Sequence, residues 1–266
     1  SRFINERVHA NIQKDGTYSV VPRMWGGVTN PSELRRIADV ADKYQIPMVK
    51  VTGGQRIDLL GVKKEDLPGV WKDLDMPSGH AYGKSIRTVK TCVGSEFCRF
   101  GTQNSTQMGI DLEHALFGMW SPHKVKLAVS GCPRNCAESG IKDVGIIGVD
   151  SGWELYVGGN GGIKTEAGEF FVKVRSAEEV MEYSLAFLQL YREEAFYLER
   201  TVHYMHRVGL EHIKKIVLDD EARRKELHQR LLFALTFEQD PWKQQIETPA
   251  LKKEFERIPV KVVEPA

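Results

Sequence analysis

The chain has 266 residues, which is enough for one large or two modest domains whose core needs no disulfide or metal to hold it together. Its 37 Lys and Arg residues balance 36 Asp and Glu residues, so the broad basic field of a nucleic-acid-binding protein is missing and any anion site must be local. No stretch approaches the roughly 18 apolar residues of a membrane span, and the start lacks the parts of a signal peptide, so we expect a cytoplasmic protein. The chain opens at Ser1 without a methionine, which suggests a fragment of a longer protein.

The first part of the chain has an α+β pattern. Asn30 is a typical helix N-cap, and Pro31 at the first helical position supports a helix that ends before Pro47. The residues from Met48 to Thr52 predict a strand. This strand runs into Gly53-Gly54-Gln55, a turn in which the backbone can approach a ligand closely.

The middle of the chain continues the α+β pattern. One helix is predicted from Ser105 to Met119. Short apolar or alternating runs predict strands at Ile86 to Lys90, Lys124 to Val129, Val144 to Val149, Trp153 to Val157 and Phe170 to Val174.

The C-terminal third is predicted to be helical. Ser176 and Glu179 form a capping box, and charged helical patterns follow around Val180 to Arg207 and Asp219 to Phe237. Beyond Asp240 the chain has prolines and charges without periodicity, as expected of a tail that is draped over the surface or disordered.

The four cysteines form two tight pairs in segments rich in Gly and Pro. Five residues separate Cys92 from Cys98, and three separate Cys132 from Cys136. Buried free thiols and a structural zinc are the simpler interpretations, because disulfides are not expected in a cytoplasmic chain. However, a gap of five residues is unusual for zinc, and four thiolates are the standard ligand set of a 4Fe-4S cluster. Spacing alone therefore favours a cluster, with a structural zinc module that serves as an assembly platform in a larger enzyme as the alternative.

The cysteine pattern, Cys-x5-Cys followed after a longer gap by Gly-Cys-Pro-x-x-Cys, resembles that of the sirohaem nitrite and sulfite reductases. Two further segments, Pro22 to Gly27 before a helix and Val51 to Arg56 after a strand, are similar to the ferredoxin-like half-domain of that family. The likeness is nearly continuous from Ser1 to about Val217. The Cys-Pro-Arg-Asn-Cys form at 132–136 and the helical tail that ends in Asp240-Pro241-Trp242 resemble the nitrite-reducing members.

The resemblance implies roles for the cysteines and for four cations. Cys92, Cys98, Cys132 and Cys136 would hold a 4Fe-4S cluster, and Cys136 would also bridge to the sirohaem iron. The substrate-side cations would be Arg23, Arg87, Lys124 and Lys126, because arginine offers a permanent charge to an oxyanion and lysine is the more credible proton donor. For the two arginines this assignment depends on the resemblance alone.

The strand period supports the two lysines independently. Lys124 and Lys126 share one face of their predicted strand, while Val125, Leu127 and Val129 point the other way. An arbitrary Lys-x-Lys is most often a solvated edge strand. The position just before Gly131-Cys132 favours an anion site instead.

The carboxylates of a sirohaem need further donors. Gly158 to Gly162 is not a phosphate loop, because no long helix follows it, but its backbone amides suit those carboxylates. The expected side-chain donors are Arg134, Asn135, Thr52, Gln55 and Asn160. The histidines His80, His114 and His123 form no ligand pair and are interpreted as structural or surface residues.

The sequence thus predicts an α+β fold in three parts: a ferredoxin-like half-domain at 1–80, a domain that binds sirohaem and the 4Fe-4S cluster at 81–200, and a helical C-terminal extension at 201–266. The resemblance implies six-electron reduction of nitrite to ammonium, with sulfite to sulfide as the alternative. It places FAD and NADH on missing upstream domains and allows for a small subunit. It also implies a homodimer, because the sulfite reductases of this family carry two copies of the unit and this chain carries one. The alternative is a single unit that closes its own site, with the C-terminal helices from Val180 onward in place of the missing repeat.

Overall fold

The computed structural model describes residues 10–80, 83–238, 240 and 248, and these residues form an α+β fold with two sheets. The first sheet is antiparallel and has the strand order β1-β2-β4-β3. Its strands are β1 (Asn11–Ile12), β2 (Tyr18–Val20), β3 (Met48–Thr52) and β4 (Arg56–Val62), and its helices are α1 (Pro31–Lys43) and α2 (Leu67–Leu74).

The predicted start of α1 is confirmed. The side-chain oxygen of Asn30 accepts hydrogen bonds from the backbone N–H groups of Ser32 and Glu33, and Pro31 occupies the first helical position. The predicted strand from Met48 to Thr52 is confirmed as β3. Strand β4, which pairs with it, was not predicted, because its buried positions do not alternate.

The second sheet has the order β5-β6-β7-β8-β9, with parallel pairing from β5 to β7 and antiparallel pairing from β7 to β9. Helix α4 provides the crossover from β5 to β6, and the short helix α3 lies between Cys92 and Cys98. The elements are β5 (Lys90–Thr91), α3 (Gly94–Phe97), α4 (Ser105–Ala115), β6 (Leu127–Ser130), β7 (Val144–Val149), β8 (Gly152–Val157) and β9 (Glu169–Val174).

Three predictions in this sheet need correction. The strand predicted from Lys124 to Val129 runs instead from Leu127 to Ser130, so Lys124 and Lys126 precede it. The strand predicted from Ile86 to Lys90 contains only Lys90 of β5, and Ile86 makes an isolated bridge to Val125. The helix predicted to reach Met119 ends at Ala115, and the turn that follows contains Gly118 in a left-handed conformation (φ 83°).

Four helices follow the second sheet: α5 (Ala177–Glu194), α6 (Thr201–Val208), α7 (Leu210–Val217) and α8 (Glu221–Leu235). The predicted capping box of Ser176 and Glu179 is confirmed. The single helix predicted from Val180 to Arg207 is wrong, because Ala195 is extended and separates α5 from α6.

Residues of these helices and of the second sheet belong to one hydrophobic core, and a smaller core lies under the first sheet. These four helices therefore share a core with the second sheet. The predicted domain boundary at residue 200 stays a prediction. Apart from Asp240 and Thr248, the tail predicted beyond residue 240 lies outside the described residues. Within the described part of the chain, no helix combines the length and apolar character needed to cross a membrane.

Candidate cofactor and anion site

The parallel strands β5 and β6 place two kinds of side chain at their opposite ends. Arg87 precedes β5 and the pair Lys124 and Lys126 precedes β6, so these cations lie toward the amino ends of the strands. Cys92 follows β5 and Cys132 follows β6, at the carboxyl ends. Parallel pairing of the two strands therefore gathers cations at one end and thiols at the other.

All four predicted cysteines border one cavity of about 430 Å³. Cys132 is buried and Cys136 is exposed, with Cys92 and Cys98 between these extremes. The Gly131 N–H donates to the sulfur of Cys92 at 3.1 Å, and the Ser105 hydroxyl lies 3.1 Å from the same sulfur. Polar contacts of this kind orient and support a thiolate that serves as a metal ligand.

The two cysteine loops meet at glycines. A Cβ atom on Gly131 would lie 2.9 Å from the Cα of Gly94 and 2.7 Å from the carbonyl oxygen of Gln103, so a larger residue there would separate the loops. Gly94 itself has φ of 62°, which a side chain would strain. The glycines that surround the cysteines thus allow the loops to approach closely.

The thiols suit a multi-iron cluster better than a single ion. Four cysteine thiolates are the standard ligand set of a 4Fe-4S cluster. Four thiols around a cavity of about 430 Å³ leave room for a cluster of several atoms between them. The donor set therefore fits a 4Fe-4S cluster.

A second cavity, of about 320 Å³, is strongly cationic. Its only described acidic lining residue is Glu138, which pairs with Lys90 at 3.0 Å and with Lys142 at 3.1 Å. Consecutive residues border the two cavities, with Lys90 at this one and Thr91 at the cysteine cavity, so the two are close neighbours. The excess of positive charge suits a polycarboxylate such as sirohaem together with a small anion. The cations are Arg56, Arg87, Lys90, Lys124, Lys126 and Lys142.

Lys124 and Lys126 both border this cavity, whereas Val125 between them is buried and does not border it. Leu127, which the strand period places with Val125, borders the cavity as well. Burial, followed by the neighbouring Arg87 and Arg200 guanidinium groups, lowers the pKa of Lys124. Burial and Arg200 likewise lower the pKa of Lys126. A lysine with a lowered pKa gives up its proton more readily than an exposed lysine does.

The predicted substrate-side cation Arg23 is not brought to this cavity. Its side chain is fully buried and donates to Glu113 at 2.6 Å and to the Ser78 carbonyl at 2.9 Å. The other carboxylate oxygen of Glu113 accepts from the backbone N–H groups of Gly26 and Val89. Arg23 therefore joins the half-domain to α4, and its role as a substrate-side cation stays a prediction.

The predicted sirohaem donor Gln55 instead forms two hydrogen bonds with the backbone of Thr91. Its Nε2 donates to the Thr91 carbonyl at 2.7 Å, and the Thr91 N–H donates to its Oε1 at 2.8 Å. Thr91 immediately precedes Cys92, and Gln55 borders the cysteine cavity. Gln55 thus fixes the start of the first cysteine loop.

The other predicted donors are distributed unevenly. Arg134 is exposed, borders the cysteine cavity and lies with its guanidinium carbon 4.0 Å from the ring centre of Phe100. Asn135 has a left-handed backbone (φ 56°), and its Oδ1 accepts from the Gly140 N–H at 3.3 Å, so it shapes the second cysteine loop. Thr52 and Asn160 border neither cavity, because their side chains donate to the carbonyls of Arg56 and Lys164.

The histidines have structural surroundings, as predicted. His80 is buried with Nδ1 3.1 Å from the Ser85 hydroxyl, and His114 stacks on Trp25. His123 accepts from the Lys124 N–H, and burial together with Arg200 lowers its pKa to about 4, so it is neutral near pH 7.

Sequence reasoning missed Arg56, Lys90 and Lys142 as cavity cations. A signal was present for Arg56, which follows the Gly53-Gly54-Gln55 turn directly, and the backbone of Gly53 and Gly54 also borders the cavity. Lys90 and Lys142 follow no pattern that separates them from surface lysines.

This combination of a four-thiol cavity beside a cationic cavity defines a class of redox proteins that pair an iron-sulfur cluster with an anion site. The family model described as "Nitrite and sulphite reductase 4Fe-4S domain" matches residues 82–226. The one described as "Nitrite/Sulfite reductase ferredoxin-like half domain" matches residues 11–77. The chain belongs to the nitrite and sulfite reductase family. A 4Fe-4S cluster and a sirohaem are the cofactors that this membership implies.

Individual relatives agree with this membership. The NAD(P)H nitrite reductase of Bacillus subtilis is 64% identical over 97% of this chain and 32% of its own length. The NADH nitrite reductase large subunit of Escherichia coli is 38% identical over 96% of this chain and 31% of its own length, so this chain spans about a third of both relatives. The assimilatory-type sulfite reductase of Nitratidesulfovibrio vulgaris is 36% identical over 79% of this chain and 96% of its own length.

Two solved structures share the fold. Dissimilatory sulfite reductase I has a TM-score of 0.68 at 16% identity, covering 74% of this chain and 68% of that one. The NirA protein of Mycobacterium tuberculosis has a TM-score of 0.67 at 19% identity, covering 81% of this chain and 40% of that one.

Proposed function

We propose that this chain is the catalytic portion of a nitrite reductase that converts nitrite, with six electrons and eight protons, to ammonium and two water molecules. The single observation that carries the proposal is that the chain holds both a four-cysteine cavity and a cationic cavity. The identity of 64% to an NAD(P)H nitrite reductase favours nitrite as the anion.

In this proposal the cysteines hold the cluster and the cationic cavity holds the sirohaem carboxylates and the substrate. The cofactors, when bound, supply electrons singly to the anion. Arg87 provides a permanent charge for the anion oxygens, while Lys124 and Lys126 provide both charge and protons. Arg23 is left out of this set, because it is committed to Glu113 inside the protein.

Sulfite is the second candidate substrate. It is favoured by the assimilatory-type sulfite reductase, which matches this chain over 96% of its length without the additional sequence of the nitrite reductases. Steady-state rates on nitrite and sulfite, with dithionite-reduced methyl viologen as the electron donor, distinguish the two. A higher kcat/KM for sulfite would replace nitrite with sulfite in the proposal.

We further propose that the chain acts as a homodimer with shared sites, in which the cations of one subunit face the sirohaem held by Cys136 of the other. The dimer is supported over a single unit closed by its own C-terminal helices by the described lining of the two cavities, to which α5 to α8 contribute no residue. The edge strand β3 exposes Met48, Val49 and Val51, which gives a second subunit an apolar edge to pair with.

The electron supply is part of the same proposal. NADH oxidation would occur on an upstream FAD domain of the whole cytoplasmic protein, with a small subunit as a further partner. The names of the NAD(P)H-dependent relatives and the third of their length that this chain spans support this division. The isolated chain is then expected not to oxidise NADH.

The experiment that tests the cofactor assignment is a visible spectrum and iron analysis of the chain, purified anaerobically from cells supplied with sirohaem. We expect haem and cluster absorbance and at least four iron atoms per chain from the cluster. A colourless protein that contains zinc would instead support the structural zinc module.

A further inference from the structure

A buried carboxylate, Asp143, lies behind the lysine pair of the cationic cavity. Asp143 is fully buried and directly precedes β7. Its Oδ2 accepts from the backbone N–H of Lys126 at 2.8 Å. The next residue, Val144, donates its N–H to the Lys126 carbonyl at 3.3 Å. The backbone of Lys126 is therefore held on both sides by the start of β7.

The same carboxylate binds a cation from the helical part of the chain. Nη2 of Arg200, in the connection between α5 and α6, lies 3.1 Å from Oδ1 and 3.0 Å from Oδ2 of Asp143. The hydroxyl of Thr201, the first residue of α6, donates to Oδ1. Asp143 thus joins the α5–α6 connection to the backbone of a lysine in the anion cavity.

Arg200 is a largely buried partner of the Asp143 carboxylate. Its side chain is only 12% exposed, and its Nε is buried without a hydrogen-bond partner. A buried guanidinium keeps its charge and acts over several ångströms because little water screens it. The charged groups that act on Lys126 are Arg200, Asp143, Lys142 and Arg87, and those that act on Lys124 are Arg87, Arg200, Lys126 and Asp143.

We propose that Arg200, held by Asp143, is a positioning residue that fixes Lys126 at the anion cavity and keeps both cavity lysines ready to donate protons. That the protons go to a bound substrate rests on the proposed function. The coupling between Arg200 and the lysines does not depend on it. Arg200 does not border the cavity and touches no substrate in this scheme.

A purely structural ion pair predicts something different. If Arg200 served only to neutralise Asp143, its removal would lower stability, and lysine acidity would return to its original level in Arg200→Met/Asp143→Asn, which removes both charges. If Arg200 acts on the lysines, removal of its charge raises the pKa of Lys126, because a repelling cation is lost. The two roles are separable by measuring lysine acidity in the folded protein.

The test compares Arg200→Met with the unaltered chain by limited acylation at a fixed alkaline pH, with mass spectrometry to quantify each lysine. Only the neutral amine reacts, so labelling of Lys126 is expected to fall about threefold or more, and labelling of Lys124 to fall in the same direction. Lys164, which is 80% exposed, serves as the internal standard. Arg200→Lys, which keeps the charge, is expected to restore labelling to near the original rate.

Arg207→Met is the matched control, because Arg207 also lies near the start of the helical part and pairs with a carboxylate, that of Glu199, at 2.8 Å. Its removal is expected to leave the labelling of Lys126 unchanged. If Arg200→Met does not fold, Arg200→Gln keeps a hydrogen-bond donor toward Asp143 and has the same expected result. Unchanged labelling of Lys126 in a folded charge-removing variant would overturn the proposal.

Cofactor-loaded protein gives the second measurement. With reduced methyl viologen as donor, Arg200→Met is expected to lower kcat roughly tenfold with a smaller change in KM, and to move the alkaline limb of the pH profile to higher pH. A labelling shift without any nitrite or sulfite reduction by the unaltered protein would overturn the proposed function alone. A tenfold loss of kcat with normal labelling would overturn the coupling alone.

Discussion

At the scale of single residues, Lys124 and Lys126 combine a positive charge with partial burial next to other cations. This surrounding has a cost, because each neighbouring cation repels the ammonium groups and lowers their pKa. Binding of an anion offsets this repulsion, since a negative charge in the cavity stabilises the charged form of both lysines. The pair is therefore suited to hold an anion and to protonate it.

Removal of one lysine is expected to reduce turnover without loss of cofactors. Lys126→Ala removes a cation that borders the cavity, so nitrite reduction with reduced methyl viologen should fall about 100-fold or more. Sirohaem absorbance and iron content should stay unchanged. Lys164→Ala, which alters an exposed lysine, is the control and should retain full turnover. Unaltered turnover in cofactor-loaded Lys126→Ala would exclude a role for this lysine.

The lowered pKa values also predict a pH dependence. An ammonium group is present below its pKa and lost above it, so a lowered pKa means that the charge is lost at a lower pH than for an exposed lysine. KM for nitrite should therefore begin to rise at a lower pH than the titration of exposed lysines, at about pH 10, would produce. Lys126→Arg should weaken this rise, because a guanidinium stays charged, and should lower kcat, because it is a poor proton donor. An identical pH profile in Lys126→Arg would contradict the assignment.

The cysteines and the lysine pair were predicted because their chemistry requires a local spacing that is visible in the sequence. Arg23 shows the limit of that reasoning. A resemblance aligns an arginine with a position, but whether its guanidinium reaches a cavity or a buried carboxylate depends on Glu113, which lies in another element. Lys90 and Lys142 were missed for a related reason, since only the folded sheet brings them to one cavity.

At the scale of elements, helix α4 connects the half-domain to the second sheet through one buried ion pair. The carboxylate of Glu113 accepts hydrogen bonds from the side chain of Arg23 and from the backbone N–H groups of Gly26 and Val89. A buried pair of this kind is hard to break on one side, because the remaining charge stays in the interior without a partner.

Arg23→Met is accordingly expected to lower the free energy of unfolding of the cofactor-free chain by about 3–5 kcal/mol, measured by urea denaturation. The matched control is Arg36→Met, because Arg36 pairs with Asp75 at 3.7 Å at the surface and should contribute less than about 1 kcal/mol. If Arg23→Met kept its stability but had a higher KM for nitrite, the result would support a role for Arg23 in substrate binding.

The two cysteine loops lead to a second prediction at this scale. Cys98→Ser removes one of the four sulfurs that border the cavity, so the iron content of anaerobically purified protein should fall. Ser95→Ala, in the same loop, should retain iron. A Cys98→Ser protein with four cluster irons and full sirohaem absorbance would show that the four cysteines do not share one cluster.

Elements with a strong local signal were predicted well, and elements defined by distant partners were not. The starts of α1 and α5 were identified because their N-caps are local hydrogen-bonding patterns. Strand β4 was missed although its partner β3 is its neighbour in the chain, because its buried positions do not alternate. The break at Ala195 was missed because no proline or glycine marks the point where α5 ends.

At the scale of the whole molecule, a shared-site dimer predicts complementation. A Cys136→Ser subunit keeps the cations but lacks the bridging thiolate. A Lys126→Ala subunit keeps the thiolate but lacks one of the cations. Mixed dimers of the two inactive proteins should regain about half of the specific activity per dimer, because one of two sites is intact. Cofactor-loaded mixed dimers without activity would exclude shared sites, and an active monomer would exclude the dimer.

The contacts between the half-domain and the cysteine loops also determine when iron can be accepted during synthesis. The turn with Gln55 is translated before Thr91, and Arg23 emerges 90 residues ahead of its partner Glu113. These are contacts of high contact order, which form late in folding. The ligand set is incomplete until Cys136 has left the ribosome, because all four thiols border one cavity. Under the proposed ligand assignment, iron loading can therefore be completed only after Cys136 has emerged, while the residues from Ala137 to Ala266 are still to follow.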